Sequence, residues 1–187
     1  MEFSLHNYVF AAILVLTIIP FKASSNSLPD NKHHEVKPLH FTLFDHEIIN
    51  KTTFVIVNGV AGAGFSTTTA PFGTLFVLND PLKVTADPSS TVVGSAEGFS
   101  IVSSFDGLDS LSVAKLTLNL KKYKGAVYFV GVFRSTKTTE HPIVGGTGDF
   151  LFVQGYITTS PVSLTGLNII YKIEFHLYWP SYAVQIS

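Results

Sequence analysis

Between Leu167 and Trp179 the chain reads LNIIYKIEFHLYW, and apolar and polar residues alternate with a period of two. Ile169, Tyr171, Ile173, Phe175 and Leu177 share one face, with Lys172, Glu174 and His176 on the other. The run VAKLTLNLKK repeats the pattern, setting Leu116, Leu118 and Leu120 against Lys115, Thr117 and Asn119. Six further runs have the same extended character: HFTLFDHEII, TTFVIVNGV, FGTLFVLN, VVGSAEGFSIVSSF, GAVYFVGVFR and DFLFVQGYITTS. Clusters of Gly, Pro, Asn and Asp separate them, and no segment carries a helical period. Eight successive strands joined by short turns predict an all-β, eight-stranded antiparallel up-and-down barrel, since closure removes exposed edges. A two-sheet sandwich is the alternative. A barrel of eight strands is about wide enough to fill itself or to hold one small ligand.

Two runs break the polar-outside rule. In GAVYFVGVFR, Val127, Phe129 and Phe133 lie on one face and Tyr128, Val130 and Val132 on the other; DFLFVQGYI is nearly as apolar. A strand apolar on both faces needs cover on both, which predicts contact with another subunit.

The first residues read as an address. The apolar run from Tyr8 to Phe21 falls short of the roughly 20 residues of a bilayer span, and small residues follow it in KASSNS. A signal peptide over residues 1–25 is expected, with an uncleaved anchor as the alternative. Residues 26–38 are polar, hold two prolines and read as a flexible leader in which His33 and His34 are solvated; residues 39–187 form the domain. No later segment is long enough to span a membrane, so a secreted, soluble product is expected.

The chain has no cysteine among its 187 residues, which excludes thiol chemistry, cysteine-ligated zinc and disulfides. Its net charge of −1 and single arginine, Arg134, argue against a nucleic-acid partner, which needs a basic stripe. No metal site is expected. The sequon at Asn50 is a candidate glycosylation site.

The stretch HPIVGGTGDFLFVQGY raises the question of a phosphate loop. Such a loop lies between a strand and a helix. Here strand-like residues follow the glycines and no GK[ST] occurs, so the glycines are read as a tight strand-to-strand turn. The same stretch closely resembles the signature of the plant dirigent proteins. LHFTLFDHEI, FGTLFVLNDPLKVTADPSSTVVGSAEG and IEFHLYW follow that family's order, and the resemblance runs from about residue 39 to 178. DPLKVTADPSS looks nearer the branch that includes the pterocarpan synthases. The resemblance implies an eight-stranded barrel similar to allene oxide cyclases, forming a homotrimer in the apoplast. It implies a protein that holds phenolic radicals or quinone methides and sets the stereochemistry of coupling, as in lignan formation, or of cyclisation. It implies no redox cofactor, with a separate laccase or peroxidase making the radicals.

The chain departs from the family pattern at several points. Where the family has His-Asp at the end of its first strand, this sequence has His46-Glu47. The arginine of the family's GRAQG motif matches Ser95 in GSAEG, with Glu97 in place of the glutamine, and the arginine before the glycine signature matches Thr139 or a neighbour. A cavity aspartate of some members is replaced near Phe133. Parity sets Asp45 on the same strand face as Glu47, roughly 6.5–7 Å along the backbone, with His46 opposite. If that face lines the cavity, burial and like charge raise both pKa values. One carboxyl then stays protonated and serves as a general acid; otherwise Asp45 sits in water and Glu47 is ion-paired. Arg134 is either a contact for a phenolate or cavity carboxylate, or a solvent-facing strand end. Asp80, which matches the second acid of the family's DDP turn, is a turn cap or a cavity residue. Tyr128, Tyr156 and Tyr171 are candidates to stack on, or hydrogen-bond to, an aromatic ligand.

These residues leave distinct functions open. One is stereocontrol of phenoxyl radical coupling without catalysis. A second is an acid-assisted cyclase or dehydratase acting through a quinone methide, and a third is a carrier of a hydrophobic small molecule. Glycoside hydrolysis fits poorly, because its acids flank the scissile bond rather than neighbour each other on one strand.

Overall fold

The computed structural model describes residues 37–181 and 183. The expected signal peptide, His33-His34 and nearly all of the expected leader lie outside them. Nine antiparallel strands follow: β1 (Lys37–Ile48), β2 (Thr53–Val57), β3 (Leu75–Lys83), β4 (Val92–Val102), β5 (Asp109–Asn119), β6 (Lys124–Arg134), β7 (Thr139–Gly148), β8 (Gln154–Thr165) and β9 (Asn168–Trp179). Their order is β1-β9-β8-β7-β6-β5-β4-β3-β2, and a further β1–β3 pairing closes eight of them into a barrel. The sandwich alternative is excluded.

The ninth strand arises because β1 and β2 share one edge of β3. Phe44 and Asp45 of β1 pair with Lys83 and Leu82, whereas Thr53, Phe54 and Val55 of β2 pair with Leu78, Val77 and Phe76. Between them the chain turns at Asn50, an exposed residue with φ of 64°. β1 and β2 thus act as one bent stave. On the other side β1 pairs with β9 along its whole length, Lys37 opposite Trp179 and Ile48 opposite Asn168.

The alternation read from the sequence sets the core. Ile169, Tyr171, Ile173, Phe175 and Leu177 are all buried, as are Leu116 and Leu118, and Phe41 stacks on Phe175 at 4.3 Å. The glycine stretch corrects the expectation. GGTG is not the turn; it forms the end of β7, where Gly145 and Gly146 pair with Tyr128 and Val127. Gly146 is required there, because a Cβ would stand 2.2 Å from the carbonyl oxygen of Phe150. The turn is the next segment, residues 149–153, and it is apolar because Phe150 and Val153 insert into the core. This also explains the excess apolarity of DFLFVQGYI.

Outside the barrel, registered neighbours form two apolar rows. Phe54, Val77, Phe99, Val113 and Val130 are successive cross-strand partners from β2 to β6, and Leu75, Ile101, Leu111 and Val132 continue beside them.

Candidate functional site

The barrel encloses a cavity of about 330 Å³. Its walls are largely apolar, with Phe76, Leu78, Phe129, Phe133 and Ile173 among them, and the serines and threonines of the 66–69 loop line it as well. Among the described residues no Lys, Arg or His lines it. Three carboxyls do: Asp45, Glu47 and Asp80. They meet because β1 gives way to β2 along β3. Asp45 and Glu47 point inward from the end of β1, and Asp80 sits on the length of β3 between its two edge partners. Thr53, the first residue of β2, donates to Asp80 with its Oγ1 3.2 Å from each carboxylate oxygen.

Electrostatics then separate the three. Burial, followed by the nearby charges of Asp80 and Glu47, holds the Asp45 carboxyl well above the usual range, and its Oδ1 makes no hydrogen bond. Burial and Asp80 raise Glu47 to about 8, against an opposing hydrogen bond from Thr53. Asp80 is raised by burial only to about 6, because hydrogen bonds from Thr52 and Thr53 favour its anion. The cluster therefore favours the neutral acid at Asp45 and Glu47 and leaves Asp80 the most readily ionised of the three. Tyr171 lines the same cavity; burial first, then Glu47, Asp45 and Asp80, keeps its hydroxyl neutral, and it packs edge-on against Phe133 at 4.9 Å.

The other sequence candidates lie elsewhere. Asp80 is not a turn cap: it belongs to β3 and is buried. Tyr128, Tyr156 and Arg134 do not line the cavity. Strand alternation turns Tyr128 and Arg134 outward, opposite Phe129 and Phe133, and Arg134 forms a bidentate ion pair with Asp109. Tyr156 stacks on His176 at 4.6 Å on the outer surface. Glu97 pairs outside with Lys115 at 2.5 Å and accepts a hydrogen bond from Ser95. His46 faces away from the carboxyls, its Nε2 3.0 Å from the carbonyl oxygen of Thr85. Among the described residues no group of three or more His, Asp or Glu is arranged to hold a metal ion. The sequence reading missed Thr53, which looked like an ordinary strand residue, and Thr159, a cavity-wall hydroxyl on β8.

Fold and cavity together define a closed antiparallel barrel with one acidic patch in an otherwise apolar, ligand-sized chamber. The family model described as dirigent-like protein matches residues 38–178, and the chain belongs to that family. It is 25% identical over 169 residues to dirigent protein 1 of Arabidopsis thaliana, covering 88% of this chain and 91% of that one. It is 27% identical over 150 residues to pterocarpan synthase 1 of Glycyrrhiza echinata, covering 79% of each. The structure of a pterocarpan synthase dirigent protein superposes with a TM-score of 0.68 at 23% identity, over 78% of this chain and 92% of that one. That superposition speaks to the fold alone.

Proposed function

We propose that this chain takes a neutral phenolic molecule into the barrel and catalyses a stereoselective elimination or cyclisation through a quinone methide. The observation that carries the reading is the gathering of Asp45, Glu47 and Asp80 in one largely apolar cavity, where burial favours neutral acids and the Thr53 hydroxyl favours an anion at Asp80. Asp45 or Glu47 gives its proton to a benzylic hydroxyl, which leaves as water. The phenolic proton passes to Asp80 as the quinone methide forms. A second hydroxyl then adds to the exocyclic carbon within the fixed cavity; its proton passes to the carboxylate that had acted as the acid, and Asp80 gives its proton back to the phenolic oxygen. The net change is loss of one water, with no electron transferred and no cofactor needed. The absence of a cation among the described residues of the wall disfavours carboxylate or phosphate substrates, because a second negative charge beside Asp80 has nothing to balance it.

Similarity to proteins named dirigent proteins, such as dirigent protein 1 of Arabidopsis thaliana, favours a second reading in which the cavity orients radicals supplied by a laccase or peroxidase, as in lignan coupling. The outer apolar rows support assembly into a homo-oligomer, read as a trimer by family resemblance. Secretion rests on the N-terminal apolar run, and glycosylation on the exposed turn at Asn50.

Chiral chromatography of products from a panel of phenols, with and without a one-electron oxidase, tests the reading. Product formed without oxidant, and lost in at least one of Asp45→Asn and Glu47→Gln, is the expected result. Enantiomeric excess that appears only with oxidant would replace it by the second reading. Tight binding without product under either condition would make the protein a carrier.

A further inference from the structure

A buried imidazole on the β7 side of the barrel takes no part in the chemistry above. His141 is fully shielded from solvent, its ring between Phe129 and Phe133 at centroid separations of 5.0 and 6.2 Å. It fits because residue 131 is glycine: a Cβ there would stand 2.8 Å from His141 Nδ1. Nδ1 makes no hydrogen bond. Nε2 lies 2.9 Å from Thr159 Oγ1 and 3.1 Å from Thr139 Oγ1, and the two hydroxyls are 2.9 Å apart. Burial lowers the imidazole pKa to about 4, so the ring is neutral and carries a single proton.

The position of that proton follows from the partners. On Nδ1 it would be a buried donor facing no acceptor, which is costly. It therefore sits on Nε2, pointing at the threonine pair, and the shorter contact is to Thr159. When Nε2–H and the Thr139 hydroxyl both donate to Thr159 Oγ1, both of its acceptor sites are filled and its own proton is left over. Thr159 lines the cavity, and no other protein group is hydrogen-bonded to it through its side chain.

We propose that Thr159 is a ligand-binding hydrogen-bond donor, held in that role by His141 and Thr139, and that it selects a substrate carrying an acceptor oxygen. That oxygen lies on the side of the molecule away from proton transfer. Thr159 pairs with Ile173, one inward-facing position along β9 from Tyr171, the cross-strand partner of Asp45. The donor is thus displaced about 7 Å along the sheet and two strands, about 10 Å, across it from Asp45. A phenol of two linked aromatic rings, with a methoxyl, methylenedioxy or carbonyl oxygen on the far ring, spans such a distance. His141 is a positioning residue: it acts through the threonine. This deepens the reading above and rests on it for the phenolic class of the ligand.

The test uses anisole and ethylbenzene, which have nearly the same shape and differ in one acceptor oxygen. Neither is a phenol, so turnover of phenols and the behaviour of Thr159 are judged separately. Affinities of both compounds are measured by calorimetry for the wild-type chain, Thr159→Val, Thr159→Ser, His141→Leu and His141→Gln. The ratio of anisole to ethylbenzene affinity is expected to fall about three- to tenfold in Thr159→Val and His141→Leu. It is expected to persist in Thr159→Ser, which keeps the hydroxyl, and in His141→Gln, whose amide N–H replaces Nε2–H. Nitrogen NMR of His141 should report the Nε2–H tautomer at neutral pH. An unchanged ratio in Thr159→Val, an Nδ1–H tautomer, or failure of both compounds to bind the wild-type chain would overturn the proposal.

Discussion

Replacing Glu47 by Gln should make the protein more stable, and by an amount that grows with pH. In the fold the Glu47 carboxyl is raised to about 8 from an ordinary value of 4.5. Between those values the folded chain holds a proton that the unfolded chain has released. Stability therefore falls as pH rises through the window, the reverse of an ion-paired carboxylate. The interval from 4.5 to about 8, at about 1.36 kcal/mol per pH unit, gives a penalty on the order of 5 kcal/mol at pH 9 and about 3 kcal/mol at pH 7. Below pH 4 it vanishes. Gln keeps the shape and never ionises, so Glu47→Gln removes the Glu47 share of the slope and leaves the shares of Asp45 and Asp80. For a barrel of this size 1 kcal/mol moves the Tm by about 2–4 °C. From near pH 4, where the two proteins melt together, the Tm of Glu47→Gln should draw ahead of the wild type, by about 10 °C or more at pH 9. Thermal melts followed by circular dichroism give the comparison. Parallel curves for the two proteins would show that Glu47 is ionised in the fold and that the acid assignment is wrong.

The remaining expectations concern the residues around that carboxyl. Product formation should follow a bell in pH, rising near 6 as Asp80 ionises and falling near 8 as Glu47 loses its proton. Thr53→Val removes the donor to both Asp80 oxygens, so the rising limb should move to higher pH, and urea melts should show a loss of about 1–2 kcal/mol. Tyr171→Phe should weaken phenol binding measurably, whereas Tyr128→Phe and Tyr156→Phe should leave it unchanged, since only the first reaches the cavity. Arg134→Ala should change stability little, because its partly exposed pair with Asp109 is screened, and should leave activity intact.

How far the sequence carried this picture depended on whether a feature is local. The two-residue alternation is local, so the inner face of β9 and the shared face of Asp45 and Glu47 could be read directly, but not that this face lines the cavity. Parity also set Tyr128 opposite Val127, Phe129 and Phe133, yet with both faces of β6 apolar it did not say which face points inward. β7 was not legible. Its first residues pair with β8 and its last with β6, so Thr139–Gly148 has no clean apolar face, and Pro142 and three glycines interrupt its strand character. The apolar turn after it imitated a strand because Phe150 and Val153 fold back into the core. The electrostatics of Asp80 were hidden for another reason. They depend on Thr53, which lies far off along the chain and reaches the carboxylate only because β2 resumes the edge that β1 has left.

That closure by the two ends of the domain bears on how the protein is made. Every residue of β1 waits for a partner in β9, the last strand to leave the ribosome, and only Phe44 and Asp45 of β1 find another on β3. The meander from β2 to β8 can pair as it emerges, but the ring cannot shut until synthesis has passed Trp179. High contact order of this kind slows folding and leaves an apolar edge open to stray pairing meanwhile. A chain cut after Thr165 loses β9 altogether, and with it Tyr171 and the seam that seals the acid chamber.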